Sequence, residues 1–101
     1  MAKMPKTTAA QYLADVARDA QFWCHDGRTF QNLGELQAAL DSMTEDSFHY
    51  HVNEGKNDFS NWVSLVIGDQ KLARDLRSSS TPAQAAGRVA ERIAFLKERA
   101  R

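Results

Sequence analysis

Apolar side chains recur in this sequence with the period of an α-helix, and residues that cap helices precede most of these segments. The clearest segment begins after Asn57 or Asp58 as N-cap and ends at Gly68, which favours a left-handed C-terminal position. Its apolar residues lie at i, i+3, i+4, i+7 and i+8: Phe59, Trp62, Val63, Val66 and Ile67. This spacing predicts a helix with a wide buried stripe.

Other segments predict helices by the same signals. Their expected start residues are Thr8, Asn32, Thr44, Asp69 and Thr81, and the first helix is expected over residues 9–19. Between the first two helices, Phe22 and Trp23 precede an Asp26-Gly27 turn, which is typical of a hairpin. The sequence therefore predicts a mainly α fold, a compact bundle of five or six short helices with one short β-hairpin near residues 21–30.

The length of 101 residues fits one small domain. We expect a helical domain over residues 1–77, a Ser-rich linker at 78–81 and an amphipathic C-terminal helix over 82–101. Because this helix follows three consecutive serines, it is expected to pack either on the same domain or on a second copy of the chain.

Charge is balanced overall, with 13 basic and 13 acidic side chains, but it is unevenly distributed. Residues 21–60 carry two basic and seven acidic side chains, whereas residues 61–101 carry eight basic and four acidic ones. The simplest interpretation is that the acidic and basic regions complement each other within the fold. The overall balance argues against a dedicated nucleic-acid-binding protein.

The single cysteine and the short apolar runs indicate the cellular compartment of the protein. One cysteine excludes an intrachain disulfide and agrees with a reducing compartment. Residues 1–10 contain no apolar leader segment, and the longest apolar run is far shorter than a membrane span. We therefore expect a cytoplasmic protein that makes no membrane contact.

Three motifs resemble known sequences: FHYHV at residues 48–52, NDFSNWV at residues 57–63, and GDxxLA at residues 68–73. Through these motifs, the segment 22–76 resembles a family of small uncharacterised prokaryotic domains. The resemblance implies a shared fold and directs attention to the histidine-containing region. It implies no particular reaction.

The motifs contain the candidate ligand-binding residues, which are His49, His51, Asn57, Asp58, Asn61 and Trp62. On a helix, His49 and His51 would diverge by about 200°, which argues against a shared metal ion. The competing interpretation is structural: His51 would bond a backbone carbonyl or Asp58, and Trp62 would fill the core. We therefore expect no metal and no cofactor.

Catalytic signatures are not evident in the sequence. Cys24 and His25 are adjacent and therefore point apart on a strand, and no glycine-rich phosphate loop is present. We predict no catalytic residues and a non-catalytic cytosolic protein-interaction module, with a protein partner or homodimeric self-association through the C-terminal helix. The alternatives are a small-ligand or metal-binding domain centred on His49, His51 and Asp58, and a helix-turn-helix-like DNA-binding protein with its turn at Gly68.

Overall fold

A computed structural model of the chain describes residues 4–101 and places most of them in α-helices. The helices are α1 (Lys6–Leu13), α2 (Leu33–Asp41), α3 (Glu45–His51), α4 (Asp58–Trp62), α5 (Gln70–Arg77) and α6 (Pro82–Ala100). A 3₁₀ turn covers Arg18–Ala20, and a π-helical turn over Val63–Ile67 continues α4. The predicted mainly α bundle is therefore confirmed.

Two short antiparallel hairpins interrupt the helices. Strands β1 (Phe22–Trp23) and β2 (Thr29–Phe30) form the hairpin that the sequence predicts near residues 21–30. Strands β3 (Val52–Asn53) and β4 (Lys56–Asn57) form a second hairpin, which is absent from the predicted architecture. Each ribbon lies against helices, which supply the stability that two isolated strands lack.

The core forms where α6 packs against α1, α2 and α5 of the same chain. Burying each large side chain there stabilises the fold by about 1.5–3 kcal/mol. The fully buried aliphatic residues of these helices are Leu33, Leu36, Leu40, Leu72, Leu76, Val89 and Leu96. Between α5 and α6, Ser79 is buried and its hydroxyl donates to the Asp75 carbonyl at 3.1 Å.

The first helix differs from the prediction at both ends. Its N-cap is Pro5 rather than Thr8, and it ends at Leu13 instead of continuing to residue 19. Beyond it, the Val16 N–H donates to the Gln31 carbonyl at 2.7 Å, and the Gln31 side chain donates to the Val16 carbonyl at 3.2 Å. The contact with Gln31, directly after β2, therefore replaces the hydrogen bonds of a longer helix.

The predicted stripe of α4 is wrong at one position, Val66. The Gly68 N–H donates to the Val63 carbonyl at 2.7 Å, an i to i−5 bond, so the last turn is wider than an α-helical turn. Val66 consequently turns outward and is 37% exposed, while Val63 and Ile67 stay buried. Gly68 ends the turn at φ +94°, the left-handed conformation that the sequence predicts.

None of the helices within residues 4–101 is both long and apolar enough to cross a lipid bilayer.

Candidate functional site

His51 lies at the centre of the predicted site, at the end of α3, and is 4% exposed. Its Nε2 accepts a hydrogen bond from the His25 backbone N–H at 2.9 Å. Because an accepting nitrogen carries no proton, Nδ1 is the protonated atom, and it donates to Asp58 Oδ2 at 2.9 Å. The neutral imidazole therefore uses both nitrogens to join α3 to α4 and to the β1–β2 hairpin.

Asp58 is held as a carboxylate by two donors. Lys56 Nζ lies 2.8 Å from Asp58 Oδ2, the same oxygen that accepts from His51. Burial acts to raise the pKa of Asp58, but the hydrogen bonds from Lys56 and His51 outweigh it, so the pKa is lowered. The carboxylate is thus ionised at neutral pH and engaged within the chain.

Aromatic rings enclose the His51 imidazole. The ring centroids of Phe22, Phe59 and Tyr50 lie 5.1, 5.2 and 5.0 Å from it. Phe22 also stacks on Phe59 and on Phe30, each at 5.1 Å. The imidazole therefore faces a filled core rather than an open cleft.

His49 points away from this cluster, as its helical position predicts. Its side chain is 52% exposed and its Nε2 lies 3.6 Å from Glu45 Oε2, one turn earlier on α3. Within the part of the chain that the structure describes, no group of three His, Cys, Asp or Glu side chains could hold a metal ion.

The remaining predicted residues divide between the interior and the surface. Asn57 caps α4 by accepting from the Ser60 N–H at 2.9 Å, and it donates to the Leu76 carbonyl at 3.0 Å. The buried Trp62 donates its indole N–H to the Ala20 carbonyl at 2.8 Å. Asn61 is exposed and lines a shallow groove of about 330 Å³ with Asn57 and other residues of the β3–β4 hairpin.

The structure also places together a surface that the sequence analysis missed. Trp23 is 71% exposed, since Phe22 and Cys24 on either side of it point into the core. Two residues further on, the exposed His25 ring stacks on Tyr50 at 3.9 Å. We call Trp23, His25 and Tyr50 the aromatic surface. The alternation of buried and exposed residues in β1 is the sequence signal that points to Trp23.

The tip of the β1–β2 hairpin is held by a charged contact. The Arg28 backbone N–H donates to Asp26 Oδ1 at 3.0 Å, and the Arg28 guanidinium donates to Asp26 Oδ2 through Nε at 3.0 Å and Nη2 at 2.6 Å. Hydrogen bonds from Arg28 lower the pKa of Asp26 to about 2. Arg28 also reaches the Ala39 carbonyl at 3.1 Å and Ser42 Oγ at 2.8 Å, which ties the turn to α2.

Cys24 is not an activated nucleophile. Burial raises the pKa of its thiol, which leaves the unreactive protonated form dominant at neutral pH. The ring of the neighbouring His25 is turned to Tyr50. The pair therefore has neither the thiolate nor the adjacent base that covalent catalysis needs.

A second ion pair, which the sequence did not predict, joins α5 to α6. Asp69 caps α5 through the Leu72 N–H, as predicted, and is only 1% exposed. Its two carboxylate oxygens accept from Arg92 Nε at 2.7 Å and from Arg92 Nη2 at 3.0 Å. Nearby, Phe95 is 44% exposed and lies between the guanidinium groups of Arg92 and Arg99, at 4.9 and 6.0 Å.

Comparison with known proteins gives one match. A model of a family of unknown function, DUF5752, matches residues 16–96, which is most of the chain. No curated protein and no solved structure matches the sequence.

Proposed function

The chain belongs to DUF5752, a family of unknown function, and we propose that it is a non-catalytic module that binds a protein partner through its aromatic surface. The observation that carries this proposal is the 71% exposure of Trp23, two residues before His25, whose ring stacks on Tyr50. Tryptophan and tyrosine are prominent among the residues that dominate binding energy at protein interfaces. Exposed residues of both types on two elements that contact each other are therefore typical of a docking surface.

The hairpin that carries Trp23 is held before any partner binds. Beneath it, Phe22 stacks on Phe30, and at its tip Arg28 bonds α2. The His25 N–H is bonded to His51 of α3. Because these contacts already restrict the backbone, binding would cost less conformational entropy than ordering a flexible loop.

The alternative of a ligand or metal site centred on His49, His51 and Asp58 has less support. Both nitrogens of His51 and the Oδ2 atom of Asp58 form hydrogen bonds within the chain. A ligand would have to break these hydrogen bonds in a filled core, and His49 lies outside it. The helix-turn-helix alternative also loses support, because Lys71 of α5 is paired with Asp75 at 2.6 Å.

A peptide selection tests the proposal. A library of random peptides displayed on phage is selected on the wild-type chain, and the clones are assayed against Trp23→Ala with Tyr50→Ala. Loss of two central interface aromatics is expected to weaken binding by at least about thirtyfold. Phe95→Ala is the matched control, since it removes another exposed aromatic ring, and it should bind like the wild type.

Trp23 and Tyr50 are exposed, so the double variant should fold and keep the wild-type circular dichroism spectrum. A loss of binding would then report the loss of the two side chains and not unfolding. Peptides that bind the wild type and the folded double variant equally would contradict the proposal. A selection that yields no binder above background would contradict it as well.

A further inference from the structure

The segment that carries the aromatic surface keeps an uncompensated negative charge. Its two cations, Arg28 and Lys56, are paired with Asp26 at 2.6 Å and with Asp58 at 2.8 Å. The other five carboxylates are exposed and have no Lys or Arg partner among residues 4–101: Glu35, Asp41, Glu45, Asp46 and Glu54. Seven acidic and two basic side chains thus leave residues 21–60 with a net charge of −5.

Several of these carboxylates lie on the elements that position the aromatic surface. Asp46 is four residues before Tyr50 on α3, so the two side chains share a face of the helix. Glu54 lies in the turn between β3 and β4, three residues after the end of α3. Asp41 ends α2, close to the carbonyl of Ala39 that Arg28 contacts. Asp46 therefore lies on the same helix face as Tyr50, within a segment that carries a net charge of −5.

The rings themselves suit a cation. Lys56 Nζ already lies 5.5 Å above the Tyr50 ring, while among residues 4–101 no ring stacks on Trp23 and no cation lies over it. Tryptophan is the best cation–π acceptor among the side chains, and arginine is the cation most often found on it. An arginine on Trp23 would gain this attraction together with that of the net negative charge of residues 21–60.

The other exposed ring has the opposite surroundings. Two guanidinium groups lie within 6.0 Å of the Phe95 ring, and residues 61–101 carry eight basic and four acidic side chains. A basic partner would be repelled there and attracted to residues 21–60. The charge distribution therefore distinguishes two surfaces that are both aromatic.

From this complementarity we infer that the aromatic surface binds a basic segment of another protein, with an arginine side chain on Trp23. The inference rests on the proposed function, since it names the chemistry of the partner for the same surface. Opposite charges across an interface steer association and disfavour partners of the wrong sign.

The test begins with the peptides selected on the wild-type chain that depend on Trp23 and Tyr50. Each is synthesised as selected and with every Arg and Lys replaced by Glu, and binding to the full chain is measured by fluorescence anisotropy. The selected peptides are expected to be rich in arginine, to lose at least about tenfold in affinity on charge reversal, and to bind less tightly at high salt.

Two double variants locate the charge. Asp46→Asn with Glu54→Gln should weaken binding about fivefold, because two exposed ion pairs are lost. Glu91→Gln with Glu98→Gln removes the same charge from exposed positions of α6 and should leave the affinity unchanged.

The results separate this inference from the proposed function. Selected peptides could depend on Trp23 and yet be neutral or acidic, or bind with an affinity that does not change with salt. Either result would overturn the inference of a basic partner and leave the proposed function standing. Sedimentation of the chain alone gives a further check: a dimer that Trp23→Ala abolishes would identify the occupant as a second copy. Selection of no Trp23-dependent peptide would refute the proposed function itself.

Discussion

The Nε2 atom of His51 accepts the backbone N–H of His25 across a separation of 26 residues. This bond joins the C-terminal end of α3 to the turn of the β1–β2 hairpin, and the opposite nitrogen of the ring joins α3 to α4 through Asp58. One buried imidazole therefore connects three elements beneath the aromatic surface. The buried histidine of the FHYHV motif therefore has a structural role in this fold.

Replacing His51 by Phe is expected to destabilise the fold by about 2 kcal/mol, because the His25 N–H loses its acceptor and Asp58 loses a donor. The free energy of unfolding is measured by urea denaturation. His49→Phe is the matched control on the exposed side of α3 and should change stability by less than about 0.5 kcal/mol. Equal losses for the two variants would contradict the assigned role of His51.

Removing the Asp69 carboxylate with Asp69→Ala should cost about 3–5 kcal/mol, because the partly buried Arg92 is left without its partner and α5 loses its N-cap. Thermal and urea unfolding measure the loss. Asp75→Ala removes the exposed partner of Lys71 and should cost less than about 1 kcal/mol.

If Asp69→Ala does not fold, a compensated variant still tests the contact. Asp69→Asn keeps a capping oxygen, and Arg92→Leu removes the unpaired guanidinium, so the double variant should be more stable than Asp69→Asn alone. A double variant less stable than that single variant would show that the ion pair is not the main role of Arg92.

Acid should weaken the fold through Asp26. Its folded pKa of about 2 lies below the ordinary value of 3.8, so its contribution is present above pH 3.8 and is lost as the pH falls toward 2. The lowered pKa of Asp58 acts in the same direction. Because the turn is at the surface, solvent screening limits the Asp26 contribution to about 1 kcal/mol.

Urea midpoints measured across this pH range check the assignment. Asp26→Asn should lower stability near neutral pH and flatten the pH dependence, so that the variant and the wild type converge at the acid end. Asp41→Asn removes an exposed carboxylate without an ion pair in the described residues and should leave the slope unchanged. Parallel curves for wild type and Asp26→Asn would rule out this source of acid sensitivity.

The π-helical turn predicts a difference between two valines on the same helix. Val63→Ala should cost about 2–3 kcal/mol, because its side chain is fully buried. Val66→Ala should cost less than about 1 kcal/mol, since this side chain is 37% exposed. Similar losses at the two positions would indicate a regular α-helix through residue 67.

The helix starts of this protein could be predicted from the sequence because capping is a local interaction. Asn32, Thr44, Asp69 and Thr81 each accept the backbone N–H three residues later, as the sequence predicts. Asn57 does the same at α4, where the sequence left Asn57 and Asp58 as alternatives, and only the start of α1 was predicted wrongly. Donor and acceptor are close in the chain, so their geometry depends little on the rest of the fold. The hairpin at Asp26-Gly27 follows from local turn chemistry in the same way.

The candidate site could be predicted only in part. Helical spacing separates His49 from His51 and places Asp58 at a helix start, but it does not reveal that His51 is bonded to His25. The exposure of Trp23 follows from the alternation of β1, whereas the stacking of His25 on Tyr50 requires two separate elements to meet. The charge of residues 21–60 is visible in the sequence, but which carboxylates lack partners is not.

The amino-acid sequence by itself determined the helical class, the N-caps of α2, α3, α5 and α6, and the left-handed glycine at position 68. Tertiary structure alone decided the end of α1, the outward turn of Val66, the protonated nitrogen of His51 and the pairing of Asp69 with Arg92. The physical reason is distance along the chain. A cap is formed within one helical turn, whereas these four features depend on hydrogen bonds and packing between elements that only the folded arrangement brings together.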